Sequence, residues 1–427
     1  MSNDLPFEVS LSLALEGVGA PERTNYAAAR SAAEGHLSNL IHDTKPLELL
    51  TIVNRSDDLE EISKFTGALT SGASTVFVLG IGGSSLGGQT LSELSPLSGM
   101  HAPQVKFFDG PGAGAFNSAL ETCDLETTRF LAISKSGSTP ETLAQTLLAA
   151  AALRDGLGAD KLAKCLGVIT ERKASALRNF AEGMGCPILD HPDEIGGRYS
   201  VLSAVGLAPA VMMGLDANAI RAGAKSVIRN ARAHPNAWES PAAGAALHFA
   251  LLQEGKLCES VLWSYADRLG LFGDWWRQLW AESLGKDGQG TMPIAAIGPI
   301  DQHSQLQLFL GGPGKALFTL ISSKTSTLGP KIPVRDAEKL GLSYLGGKSL
   351  GDLFAAEAKA TAHTLARGGQ PVRLISLGKV DEYGLGALFM HFMLETILMG
   401  RLTGVDPFDQ PAVEEGKILA RKFLQGE

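Results

Sequence analysis

The run Thr75-Val76-Phe77-Val78-Leu79, followed by Gly80-Ile81-Gly82-Gly83-Ser84-Ser85-Leu86-Gly87-Gly88, decides the fold class. Its first five residues are apolar or β-branched without alternation, as a parallel strand buried on both faces requires. The glycines then turn the chain tightly, and a helix is predicted through Leu91 and Leu94. Two phosphate motifs fail on this loop. The dinucleotide fingerprint needs a third glycine where Ser85 stands, and a P-loop needs Gly-Lys-Ser/Thr where the chain has Gly88-Gln89. What remains is general: backbone N–H groups at a helix start, open to an anion or a sugar hydroxyl.

Further strands are predicted at Val105 to Asp109, Thr128 to Ile133 and Leu166 to Thr170, each separated by helical sequence. A second strand-helix series starts at Glu259 to Ser264. It continues through Pro293 to Ile297, Ala316 to Ser322 and Val372 to Ser376, and an apolar helix covers 382–401. Alternation twice over predicts an α/β protein with two doubly wound parallel sheets. The expected division is an N-terminal helical arm at 1–45 without chemistry, domains at 46–213 and 246–401, an Ala-rich helical link at 214–245, and a C-terminal loop and helix at 402–427.

A second informative stretch is Asp267 to Gly288, D-R-L-G-L-F-G-D-W-W-R-Q-L-W-A-E-S-L-G-K-D-G. At helical spacing Phe272, Trp275, Trp276, Leu279 and Ser283 form one stripe that seeks a core. Gln278 and Glu282 are four apart and so neighbours. Glu282 lies at the margin of the stripe, where partial desolvation makes a carboxylate a better proton acceptor. Alone, this is an ordinary amphipathic helix with a glutamate at its rim.

Composition narrows the class. Hydrophobic residues make up 44% and charged residues 19%, which suits a globular enzyme and not a disordered chain. The net charge of −8, without a basic block, argues against nucleic acid as a partner. Asp4 and Glu8 stand where a signal peptide carries positive charge, and no apolar run is read as the ~18 residues of a membrane span. A cytoplasmic protein is expected. Cys123, Cys165, Cys186 and Cys258 are scattered without a C-x-x-C pair, so no metal site is expected.

Three polar segments follow predicted strands or precede helices. Ser134-Lys135-Ser136-Gly137-Ser138-Thr139-Pro140-Glu141-Thr142 brings four hydroxyls, Lys135 and free N–H groups to one loop, a cradle fit for a phosphate monoester without Mg²⁺. Within it Ser138 to Glu141 reads as a capping box. Gly196-Gly197-Arg198-Tyr199-Ser200 places an arginine just before a buried helix, which is costly unless it meets an anion. In Gly298 to Ser304, Asp301 reads as an N-cap. That puts His303 in the first turn, where the helix dipole favours a neutral ring able to pass a proton either way. His391, among Phe389, Met390, Phe392 and Met393, reads as core.

Six segments together resemble the glucose-6-phosphate isomerase family in its shorter bacterial form. They are I-G-G-S-S-L-G at 81–87, S-K-S-G-S-T-P-E-T at 134–142, G-G-R-Y-S at 196–200, Q-L-W-A-E-S-L-G-K at 278–286, D-Q-H-S at 301–304, and P-F-D-Q-P-A-V-E-E-G-K at 407–417. They stand in the family's order. Ala412 replaces a usual glycine and Asp406 a common Asn, and Ala412 is expected to shift the loop that presents Lys417. The resemblance implies two sugar-isomerase (SIS) domains and a homodimer with shared active sites. It also implies glucose 6-phosphate and fructose 6-phosphate as substrates, and no cofactor. It makes Ser134, Lys135, Ser136, Gly137, Ser138 and Thr139 the phosphate loop, with Gly83, Ser84 and Gln278 on the sugar. Glu282 becomes the base and Arg198 faces the developing charge. His303 and Lys417 act in ring opening, with His303 donated across the dimer. Two alternatives stay open: an isomerase that also takes mannose 6-phosphate, and a sugar-phosphate-binding regulator without chemistry.

Overall fold

A computed structural model describes residues 5–95 and 102–427; Asp4 of the N-terminal reading lies outside them. Ten strands are β1 (Phe7–Ser10), β2 (Thr75–Leu79), β3 (Gln104–Phe108), β4 (Thr128–Ile133), β5 (Leu166–Thr170), β6 (Ile188–Asp190), β7 (Glu259–Tyr265), β8 (Met292–Ile297), β9 (Ala316–Ser323) and β10 (Val372–Leu377). They form two five-stranded sheets, β3-β2-β4-β5-β6 and β1-β10-β9-β7-β8. Every pairing is parallel except β1 with β10. Strands β4 and β5 are buried along their whole length, which is why they read as continuous apolar runs.

Strand β1 corrects the reading of 1–45 as a helical arm. Phe7 and Val9 are buried while Glu8 and Ser10 are exposed, a period of two that closes the second sheet. Four residues are too few to stand out beside the helix Arg23–Ile41. The three residues of β6 escaped for the same reason.

The 214–245 segment does more than link. Its helix Ala217–Ala233 packs on the helix Glu382–Thr403, as does the next helix, Pro241–Gln253. A Cβ on Gly386 would sit 1.8 Å from the Ile220 carbonyl oxygen, so only glycine allows this backbone approach. Gly384 to Gly400 are buried without a break, His391 among them. This helix also corrects the membrane reading. Among the described residues it is long and apolar enough to cross a membrane by length and composition, yet 89% of its most apolar window is buried inside the protein. It is the helix around which the largest core cluster is built.

Inside that core lies a buried ionic group. Arg373 Nη1 donates to Glu395 Oε2 at 2.7 Å, with His248 and His391 each 3.4 Å from the same carboxylate. Burying charge is costly unless it is paired, and here it is paired.

Candidate active site

The helix Phe272–Leu284 follows β7 and buries Phe272, Trp275, Trp276, Leu279 and Ser283, together with Trp280. Anchored by that stripe, Gln278 and Glu282 project from its margin. Gln278 Nε2 donates to Glu282 Oε2 at 3.1 Å, and Arg198 Nη1 lies 3.5 Å from Glu282 Oε1. Each carboxylate oxygen therefore has its own partner. The Glu282 side chain keeps 27% exposure while that of Arg198 keeps 3%. The carboxylate faces open space and the cation behind it is dry.

Arg198 begins the turn Gly197–Leu202. Its Nε donates to Ser283 Oγ at 2.8 Å and its Nη1 to Gln410 Oε1 at 2.8 Å. Its Nη2 donates to the carbonyls of Pro407 (2.6 Å) and Asp409 (3.0 Å). The cost of burying this arginine is met by Glu282 and by the C-terminal loop together. Tyr199 Oη bonds the same Ser283 hydroxyl at 3.0 Å; burial pushes the phenol up to about 12 against the opposing effect of that bond and of Arg198.

The glycine turn after β2 packs directly on this group. A Cβ on Gly83 would lie 2.2 Å from the Gly197 carbonyl carbon, and one on Gly82 would lie 2.9 Å from Gln278 Nε2. Only a bare backbone brings Gly83 and Ser84 beside Arg198 and Gln278. In the second loop Ser134 is buried and its hydroxyl meets that of Thr139 at 2.9 Å; Ser138 Oγ donates to Ser136 Oγ at 3.0 Å.

Two features of that loop differ from the sequence reading. The cap of the helix Pro140–Leu157 is Thr139, not Ser138, and no side chain caps it. The left-handed turn at Gly137 (φ 60°) comes just before Ser138, whose hydroxyl bonds Ser136 instead. The helix N-terminus keeps its N–H groups free of side-chain caps, which suits an incoming anion. Lys135, expected to point at that anion, instead donates to the Asp193 carbonyl at 2.9 Å and pairs with Glu171 at 3.3 Å.

His303 is also placed differently. The helix Ile300–Ser304 has only five residues, so Asp301 is inside it and His303 falls in its last turn. Asp301 accepts from the Ile297 N–H at 2.7 Å and from Ser304 Oγ at 2.7 Å, bracing the turn without capping it. His303 is exposed, as is Lys417, whose Nζ donates to Glu414 at 2.7 Å. Among the described residues no hydrogen bond or ion pair joins either to Glu282. Ala412 sits in the turn Pro411–Val413 and is not among the residues of positive φ, so an alanine fits there without backbone strain. Asp406 accepts from the Phe408 N–H at 2.9 Å, a contact that Asn could equally make.

Sequence reasoning missed four residues here: Ser283, Tyr199, Gln410 and Lys286. Lys286 Nζ donates to the carbonyls of Ser283 and Asp406 and pairs with Asp409 at 2.8 Å, which clasps the 406–410 segment to the end of the 272–284 helix. The available signal was Ser283 itself, a hydroxyl in the middle of an aromatic stripe, which has to find a partner.

Comparison with known proteins identifies the family. The family described as phosphoglucose isomerase matches residues 54–314. A probable glucose-6-phosphate isomerase of Natronomonas pharaonis is 40% identical over 352 residues, 82% of this chain and 79% of its own. The glucose-6-phosphate isomerase of Rubrobacter xylanophilus is 34% identical over 380 residues, 87% of this chain and 88% of its own. Among solved structures, a hypothetical protein from Thermus thermophilus superposes with a TM-score of 0.86 at 33% identity, covering 98% of this chain and 99% of that one. A glucose-6-phosphate isomerase from Chlamydia trachomatis shares the fold, with a TM-score of 0.81 at 18% identity over 98% of this chain and 88% of its own. With the matched segment spanning the glycine turn, the serine loop, Arg198 and Glu282, the chain belongs to the phosphoglucose isomerase family.

Proposed function

We propose that Glu282 is the base with which this chain interconverts glucose 6-phosphate and fructose 6-phosphate. The observation that carries the assignment is the partly exposed carboxylate fixed between Gln278 and the buried Arg198. Opened glucose 6-phosphate loses its C2 proton to Glu282. The electrons form a C1–C2 enediolate whose negative oxygen is stabilised by the fixed charge of Arg198. The O2 proton passes to O1, Glu282 returns the carbon proton to C1, and C2 becomes the carbonyl of the ketose. General base catalysis of this kind contributes about 10²–10⁴ in rate.

The loop at 134–139 is assigned to the phosphate through Ser134, Ser136, Ser138, Thr139 and the N–H groups of the following helix, with Gly83, Ser84 and Gln278 on the sugar. Lys135 joins them by leaving its contacts with Glu171 and Asp193. Held at the far end, the phosphate orients the reacting carbons.

Ring opening is assigned to His303 and Lys417, and the site is completed across a homodimer. What supports this is the exposure of His303, unbonded to Glu282, on a segment that also turns Ile300 and Leu308 to solvent. The C-terminal helix Glu414–Gln425 buries no residue and exposes Ile418, Phe423 and Leu424. Apolar surface of this extent marks association. The proposal keeps the domains at 46–213 and 246–401, since each holds one sheet apart from β1, and places the enzyme in the cytoplasm. Solvent-deuterium exchange at C2 in the wild type and in Glu282→Gln tests the assignment; exchange retained by the variant would remove Glu282 as base.

A further inference from the structure

The second sheet carries a slot of mixed apolar and hydroxyl lining on the face turned away from Trp275 and Trp276. Tyr265 of β7 stands in register with Ser322 of β9, and Ser322 with Ser376 of β10. Paired residues of parallel strands point to one side, so three hydroxyls form a row across the sheet. Leu320 and Leu374, two residues back and also paired, continue that face. The helix Leu350–Arg367 packs over it. Between helix and sheet lies a cavity of about 280 Å³, kept open on the helix side by Ala355, Ala358 and Ala362. Lys359 and His363 line it as well, four residues apart and therefore neighbours.

The lining offers hydroxyl donors and one ammonium. It holds the hydroxyls of Ser322, Ser323, Thr325 and Ser376 with Lys359 and His363; the row ends on Glu8 of β1, in register with Ser376 and outside the lining. The larger cavity of the first domain mixes both signs, with Glu48, Asp58, Glu61 and Glu194 beside Arg55 and Arg172 in its walls. Tyr265 Oη is already engaged with Gln302 and Thr361, and Thr325 Oγ1 with the Gly351 carbonyl. Among the described residues the side chains of Ser322, Ser323, Ser376, Lys359 and His363 make no hydrogen bond or ion pair. Hydroxyl donors, an ammonium and an imidazole left without protein partners around one space suit a phosphate group.

Topology gives independent support. The order β8-β7-β9-β10 repeats β3-β2-β4-β5, so β9 is the counterpart of β4. β9 ends on Ser323 and Lys324-Thr325-Ser326-Thr327 follow, close in composition to the Ser134 to Thr139 loop after β4. Open α/β sheets bind ligands beside the strand ends where the order reverses, here β2 with β4 and β7 with β9.

We propose that this slot is a second anion site, taking a phosphate group, free or carried by a small ester. Ser322, Ser323 and Ser376 donate to its oxygens while Lys359 supplies the positive charge and His363 a ring N–H. It uses no residue of the isomerase reading and stands without it. The test follows the ring protons of His363 by NMR in the full chain, assigned by their loss in His363→Gln. Inorganic phosphate or glycerol 3-phosphate is added at constant ionic strength. A saturable shift is expected, weakened about tenfold or more in Lys359→Gln and in Ser322→Val, and unchanged in Lys135→Ala. Tighter binding of the ester identifies a phosphorylated metabolite as ligand, and equal binding identifies the free ion. A shift that grows without saturating, or that is the same in Lys359→Gln, overturns the site; Lys359 is exposed, so that variant keeps its fold.

Discussion

Arg198 and Glu282 stand 3.5 Å apart, and every other side-chain bond of the arginine goes to Ser283 or to residues 407–410. The carboxylate proposed for catalysis is thus oriented by a cation that two distant parts of the chain hold in place.

Replacing Glu282 by Gln keeps the size of the side chain and removes its basicity. Turnover is expected to fall by about 10²–10⁴ while sugar-phosphate affinity stays near its wild-type value. Steady-state rates and equilibrium binding measured on one preparation check both halves.

Arg198→Lys is expected to behave as a severe change, since an ammonium cannot span Ser283, Gln410 and two carbonyls at once. The rate constant should drop, and the 406–427 tail should become open to limited proteolysis. A tail as resistant as in the wild type would count against its docking by Arg198.

Gly137 has φ 60°, and a Cβ there would sit 2.0 Å from Ser175 Oγ. Gly137→Ala is expected to cost about 1–2 kcal/mol of stability and to raise KM for phosphorylated sugar more than it lowers kcat. Thermal unfolding and Michaelis constants read the two effects.

Chains carrying His303→Ala mixed with chains carrying Glu282→Gln test the shared site. Each alone is expected to be nearly inactive. Mixed at random, half the dimers contain one intact site, so roughly a quarter of wild-type activity should return. No recovery after demonstrated subunit exchange would place both residues within one chain.

The buried ionic group sets a dependence of stability on pH. Burial pushes His248 down to about 4. The unfolded ring binds its proton near pH 6.5, so stability is lost as pH falls from there toward 4. Burial alone would push the Glu395 carboxyl up, but Arg373, His391 and His248 overcome it and hold it down at about 2. Its contribution is present above the ordinary carboxylate range and is lost as pH falls through that range toward 2. Each loss is of the order of a few kcal/mol. Urea midpoints should fall between pH 7 and pH 5, and His248→Phe should flatten part of that decline.

Much of the architecture was legible because buried parallel strands write themselves as unbroken apolar runs. Thr75–Leu79, Thr128–Ile133 and Leu166–Thr170 fall at the predicted limits. The margin of the aromatic stripe also placed Glu282 beside Gln278. What stayed hidden has physical causes. A short edge strand such as Phe7–Ser10 takes its meaning from a distant partner near the other end of the chain, Leu377 with Phe7. A helix of five residues gives no dipole argument for His303, because its first and last turns coincide. Lys135 was read by its charge, while its contacts are decided by Glu171 and Asp193 on loops that spacing does not relate to it.

The clasp of Lys286 and Arg198 on residues 406–410 has a consequence for biosynthesis. Both sheets are complete by Leu377, yet the guanidinium beside Glu282 finds its carbonyl partners only at Pro407 and Asp409. A nascent chain elongated through the helix Glu382–Thr403 but short of residue 410 owns its cores and an unfinished candidate pocket, so folding of the sheets precedes assembly of the site.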